Sequence, residues 1–369
     1  MVSEAERRED LLARVERFHG VSFEQVLGEI EYLRDAGDSV IAGGSLAYGF
    51  GNHLSDLDLL VAGPTTVESS PVPLEHFVGS LRVDVWKFAQ GLIEETFDRA
   101  EEALASESPL LGSFGDLHHE DELKLLHRIA FGVLLDGEGL EPAGERDYCS
   151  LASGLVVREY AERMRASALL AQLALRADRP IAAVVNARLA VEEALNAAVV
   201  RRGLPFSGDK WLRERLANQT ADLASVYKPF RQLPENPARD APRFVEEAVA
   251  VCTEKWALDL DIDALVPAAR WRNTDLQVME VGTDRLLLSA RFGALWSLNE
   301  SEVETWHRLV SVGAVEPDAT WDLGECDAEA LILCLRLHEH GLLGLHWTNG
   351  VALGNLEGMR SVGHEADRR

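Results

Sequence analysis

Two aspartates one residue apart, Asp56 and Asp58, lie in the run SDLDLLVAG, where Leu57, Leu59 and Val61 alternate with them. Successive side chains of an extended strand point to opposite faces, so both carboxylates share one face and the apolar residues share the other. A third acid, Asp84, lies in LRVDVWKF together with Arg82 and Trp86, on the side opposite Leu81, Val83 and Val85. If the two strands are sheet neighbours, the three carboxylates meet. Clustered carboxylates repel one another unless a cation sits between them, and hard oxygen ligands favour Mg²⁺. Ahead of the first pair, Gly43, Gly44 and Ser45 let the backbone approach an anion closely, and the helix expected to follow favours negative charge at its start. Magnesium held by carboxylates plus substrate phosphates is the usual arrangement for phosphoryl-type transfer. These residue types in this order suit a nucleoside triphosphate site.

The elements that must position them are legible as patterns. Residues 1 to 35 are expected to be helical, with Leu11, Leu12, Val15 and Phe18 at helical spacing. SVIAGG reads as a buried strand ending in glycines, 46–50 as a short helix and 56–62 as a strand with alternating faces. Pro64 to Pro73 is loop by its Pro, Thr and Ser content, and helical patterns dominate from Leu92 to Leu135. DGEGLEPAGE marks a boundary, after which 148–260 is mostly helical. Its best helix begins at Pro180 and ends at Gly203, the expected proline-first, glycine-last asymmetry. From 276 the strands LQVMEV and RLLLSA precede two amphipathic helices and GLLGLHW.

The segment GGSLAYGFGNHLSDLDLLV, followed by RVDVW, resembles the nucleotidyltransferase superfamily of DNA polymerase β. It matches the pattern of Gly-Ser, a spacer, Asp-x-Asp between apolar residues and a third acid on a later strand. The wording Ser-Asp-Leu-Asp-Leu is most similar to the minimal, aminoglycoside and lincosamide nucleotidyltransferases of bacteria. The resemblance implies an α+β chain in three parts. These are a small mixed-sheet catalytic domain over 1–145, a helical-bundle substrate domain over 146–270, and a winged-helix-like accessory domain with a polar tail over 271–369. It also implies that Gly44 and Ser45 hold the triphosphate and that Asp56 and Asp58 bind two Mg²⁺ ions. Asp84 would be the third ligand, or the base that takes the acceptor proton.

GLPFSGDKWLRERL resembles the second domain of the same antibiotic-modifying enzymes, where Lys210 would neutralise charge moving onto the pyrophosphate. On the preceding helix Glu192 shares a stripe with Val185, Leu189 and Asn196, as a possible base in the cleft or as the partner of Arg188. The implied reaction moves a nucleoside monophosphate, expected to be AMP from ATP, to a hydroxyl of a small molecule such as an antibiotic or biosynthetic intermediate. The rivals are transfer of AMP to a protein or peptide, including the antitoxin type, and a non-catalytic regulator that senses nucleotides. Residues 276–350 are similar to winged-helix peptide-recognition modules, which bind a peptide by adding a strand to a sheet edge. The other reading is an accessory domain that packs on its neighbours or mediates dimerisation.

Composition bounds these readings. The 369 residues carry 36 basic against 62 acidic side chains, a net charge of −26. Proteins that neutralise many nucleic-acid phosphates present a basic face, so a nucleic-acid partner is disfavoured and a small or cationic acceptor favoured. The four cysteines, Cys149, Cys252, Cys326 and Cys334, lack Cys-x-x-Cys spacing, and free buried thiols are expected instead of zinc or a disulfide framework. No apolar run is long enough to span a membrane. The charged N-terminus shows no secretory signal, which makes the cytoplasm the expected compartment.

Overall fold

Helix-spaced apolar residues open the chain as α1 (Glu4–His19) and α2 (Phe23–Ile30). Ser22 and Gln25 exchange hydrogen bonds in a capping box that fixes the start of α2. In this computed structural model the described residues are 4–63, 72–106, 108, 119–137, 147–203, 211–219, 221–273, 277–280, 286–289, 295–311 and 320–350. The wholly buried β1 (Ser39–Gly43) runs directly into one helical turn, α3 (Gly44–Ala47). That turn comes earlier than the helix expected at 46–50, because Gly44 takes φ +72 and bends the chain at once. Then follow β2 (Leu57–Gly63), β3 (Leu74–Val78), β4 (Leu81–Ala89), α4 (Gln90–Ala105), α5 (His119–Phe131) and β5 (Val133–Asp136). The helical pattern expected through 135 therefore ends in a strand, formed where Val133 and Leu134 pair with Ala42 and Ile41 of β1.

The five strands form one mixed sheet in the order β3-β4-β2-β1-β5, with β2 and β4 parallel and the other neighbours antiparallel. β2 is central and buried on both faces, not on one as alternation alone implied. Leu57, Leu59 and Val61 face Leu11, Val15, Val26 and Ile30 of the first two helices. On the opposite face Leu60 lies beneath Leu125 of α5, and Ala62 lies with Ile93 and Phe97 of α4. The apolar residues of this second face leave Asp58 at the open end of the strand.

A helical layer follows: α6 (Tyr148–Arg176), α7 (Pro180–Arg201), α8 (Leu212–Gln219), α9 (Ala221–Tyr227), α10 (Pro237–Trp256) and α11 (Ile262–Leu265). Asp147 caps α6 by accepting the Ser150 N–H. Proline opens α7 and Gly203, at φ +73, follows its end, as the asymmetry predicts. The long α6 packs against α7 and α10 and also against α4 and α5, so it joins the helical layer to the sheet.

The last part contains β6 (Ala269–Asn273), β7 (Gln277–Glu280), β8 (Leu286–Ser289), β9 (Leu295–Ser297), α12 (Glu300–Ser311), β10 (Thr320–Asp322), α13 (Ala328–Glu339) and β11 (Leu343–Trp347). Two three-stranded sheets result, β10-β6-β11 and β7-β8-β9, with antiparallel neighbours in each. The boundary placed at 270/271 falls inside β6, whose ARWRN sequence carries little strand signal until β10 and β11 flank it. One apolar core runs from Val156 to Trp347 and includes the fully buried Trp271, Trp306 and Trp347. The Trp347 indole donates to the Glu162 carbonyl of α6 and so ties the last strand to the helical layer. The fold is α+β, with a mixed five-stranded sheet and many helices. Among the described residues no helix is long and apolar enough to cross a membrane.

Candidate active site

The parallel pairing of β2 with β4 sets Asp58 opposite Asp84, and paired residues of neighbouring strands project from the same face. The register continues outward to Glu75 on β3 and inward to Gly43 on β1. Glu75, Asp84, Asp58 and Gly43 thus form a row across one end of the sheet, and Asp56 stands one step before β2. Asp84 is buried, Asp58 nearly so, and Glu75 exposed.

Two arginines meet these acids. Arg82, two residues before Asp84 on the same face of β4, donates from Nε to Oδ1 and from Nη2 to Oδ2, both at 2.8 Å. Its Nη2 also lies 3.0 Å from Glu75 Oε1. Arg128 comes from α5, donates to Asp58 Oδ1 at 3.1 Å, and stacks its guanidinium 3.9 Å from the ring centre of Trp86. Among the described residues Asp56 has neither a hydrogen-bond nor an ion-pair partner.

The double glycine is explained by this pairing. A Cβ on Gly43 would lie 2.6 Å from Arg128 Cγ, and one on Gly44 would lie 2.7 Å from Asp58 Cγ and overlap its Oδ2. Gly43 therefore admits the arginine stem and Gly44 the carboxylate. The anion that packs against the Gly44–Ser45 turn is thus a side chain of the same protein. α3 is only one turn long, so its dipole adds little to anion binding there. Ser45 is buried, its carbonyl accepts the N–H groups of Phe50 and Gly51, and its hydroxyl has no partner among the described residues.

Burial raises the Asp58 carboxyl above its ordinary value; Arg128 opposes that shift, and the nearby Asp56 and Asp84 add to it. A cation would relieve this unfavourable charge. No three Asp, Glu, His or Cys side chains among the described residues surround a common point as a metal site would. The donor chemistry nevertheless fits a hard divalent cation. The candidate ligands are all carboxylate oxygens, which suit such an ion, while the two guanidinium groups already offset part of their charge.

Of the remaining expected residues, Lys210 lies outside the described residues. Glu192 on α7 accepts from Arg188 Nε at 2.9 Å, and the same oxygen accepts the Tyr227 hydroxyl. It is thus held within the helical layer by the Arg188 pairing and a second donor. Trp86, on the same face of β4 as Asp84, is partly buried beneath Arg128. The sequence reading missed the parts played by Arg82 and Arg128. Arg82 was within reach, since period two puts it beside Asp84. Arg128, on a helix far along the chain, left only Gly43 as a trace, which the sequence alone assigns to close approach of an anion.

No protein-family model and no curated protein matches the chain. Among solved structures it is similar to a nucleotidyltransferase-like protein from Exiguobacterium sibiricum 255-15, at 12% identity and a TM-score of 0.35 over 75% of this chain and 98% of that one. So distant a likeness carries neither fold nor function.

Proposed function

We propose that this chain is a nucleotidyltransferase that moves a nucleoside monophosphate, expected to be AMP from ATP, onto a small-molecule hydroxyl with release of pyrophosphate. The observation that carries the reading is the pairing of Asp58 with Asp84 on adjacent parallel strands beside the Gly44–Ser45 turn. Asp56, Asp58 and Asp84 would hold two magnesium ions. Such ions would supply Lewis-acid polarisation of the α-phosphate and of the acceptor hydroxyl. The Ser45 hydroxyl, which has no partner among the described residues, would meet a triphosphate oxygen, and Lys210 would meet the charge that develops on pyrophosphate. The acceptor, an antibiotic or a biosynthetic intermediate, would bind between the sheet and the helical layer, where the acidity of the chain suits a cation.

The deciding measurement is pyrophosphate release from ATP and Mg²⁺ across a panel of hydroxylated, cationic acceptors. Asp56→Asn should abolish it while circular dichroism stays native, and undiminished turnover in that variant would remove the reading. One observation favours a second reading: with guanidinium groups on Asp58 and Asp84, the chain could bind nucleotides as a regulator without turnover. A rise in Tm with ATP and no pyrophosphate from any acceptor would select it.

A further inference from the structure

Arg82 and Glu75 carry an inference that rests on the nucleotidyl-transfer reading. The Arg82 fork spans two unlike acids: it chelates both oxygens of Asp84, whose side chain is 6% exposed, and it touches Glu75, whose side chain is 55% exposed. While the fork is closed, each Asp84 oxygen has one lone pair committed to the guanidinium, whose positive charge opposes a metal ion there. Glu75 stands opposite Asp84 in the β3–β4 register, so a guanidinium leaving Asp84 finds a second carboxylate at once. Arg82 is itself 44% exposed and has room to turn. Arg128 lacks that freedom, with its stem over Gly43, its guanidinium on Trp86 and its side chain 17% exposed.

We propose that Arg82 is an internal competitor for the cation at Asp84, a positioning residue that turns onto Glu75 when a divalent ion binds. The resting site is then neutralised from within, and filling it exchanges one positive group for another at a buried carboxylate.

The test is calorimetric titration of the nucleotide-free protein with Mn²⁺, for wild type, Arg82→Gln, Arg82→Lys and Asp84→Asn, with melting curves to establish folding. Arg82→Gln should bind about tenfold more tightly, the effect of removing one charge-assisted competitor. Arg82→Lys keeps the charge but cannot chelate the carboxylate, so it should also bind more tightly than wild type, though by less. Asp84→Asn should lose the ion. Wild-type affinity in both arginine variants, or weaker binding in Arg82→Gln, would overturn the competitor role and leave nucleotidyl transfer standing. Wild-type affinity in Arg82→Lys alone would reduce the effect to bulk charge and overturn the exchange. If no folded protein in the set binds Mn²⁺, the competitor role is overturned, and nucleotidyl transfer is decided separately by pyrophosphate release from ATP and Mg²⁺.

Discussion

Gly44 and Asp58 fit together as a slot and its occupant. The glycine sits at φ +72, and a side chain there would overlap the Asp58 carboxylate. Gly44→Ala should therefore destabilise the fold by about 2 kcal/mol or more, from the left-handed backbone and the overlap together. Adding Asp58→Ala should return about 1 kcal/mol, measured by urea unfolding as a double-mutant cycle. Strict additivity would show that the overlap relaxes without effect.

The buried Arg158 on α6 supports the end of α4. It donates to the carbonyls of Ala103, Ser106 and Ser108 and lies 3.5 Å from Glu162, which is wholly buried. Arg158→Ala removes three carbonyl hydrogen bonds and a cation facing the buried Glu162, and should cost about 3–5 kcal/mol in denaturant unfolding. The double variant Arg158→Met, Glu162→Met should regain part of that loss. Failure to regain any would assign the whole effect to the three carbonyls.

His127, one residue before Arg128, is buried against Tyr48 and Phe131. Burial, helped by Arg215 and Arg128, lowers its pKa from 6.5 to about 3. The folded chain keeps it neutral where the unfolded chain takes up a proton. Its contribution to stability is therefore complete above pH 6.5 and is lost as pH falls toward 3, at about 1.4 kcal/mol per pH unit. Stability measured between pH 6.5 and 4.5 should fall more steeply for wild type than for His127→Gln. Parallel profiles would mean that the histidine is protonated in the fold.

The cysteines differ in reach. Cys252 and Cys334 are buried, and burial pushes the Cys252 thiol up to about 12 and the Cys334 thiol well above its usual value. A maleimide under native conditions should label the exposed Cys149 first and leave Cys252 and Cys334 intact until the chain unfolds. Early labelling of Cys252, read by mass spectrometry, would show that the helical layer opens locally.

Much of the acid row was legible before any tertiary information. Asp56, Asp58 and Asp84 stand out because period-two alternation sets polar residues against apolar ones, and Pro180 and Gly203 bracket α7 by the same kind of local rule. Such signals depend on backbone geometry that each short segment carries within itself. The strands β5 and β6 were missed because four or five residues have too little intrinsic preference; β1 makes the first a strand, while β10 and β11 make the second. The reach of Arg128 to Asp58 spans 70 positions, so neither periodicity nor spacing could register it. The sequence by itself determined which face carries the acids and how the local elements begin and end. Tertiary structure decided that Asp58 and Asp84 share a register, and that Arg82 and Arg128 supply their positive charge. Local propensity acts over a few residues, whereas strand pairing and ion pairing depend on which distant segments the buried core brings together.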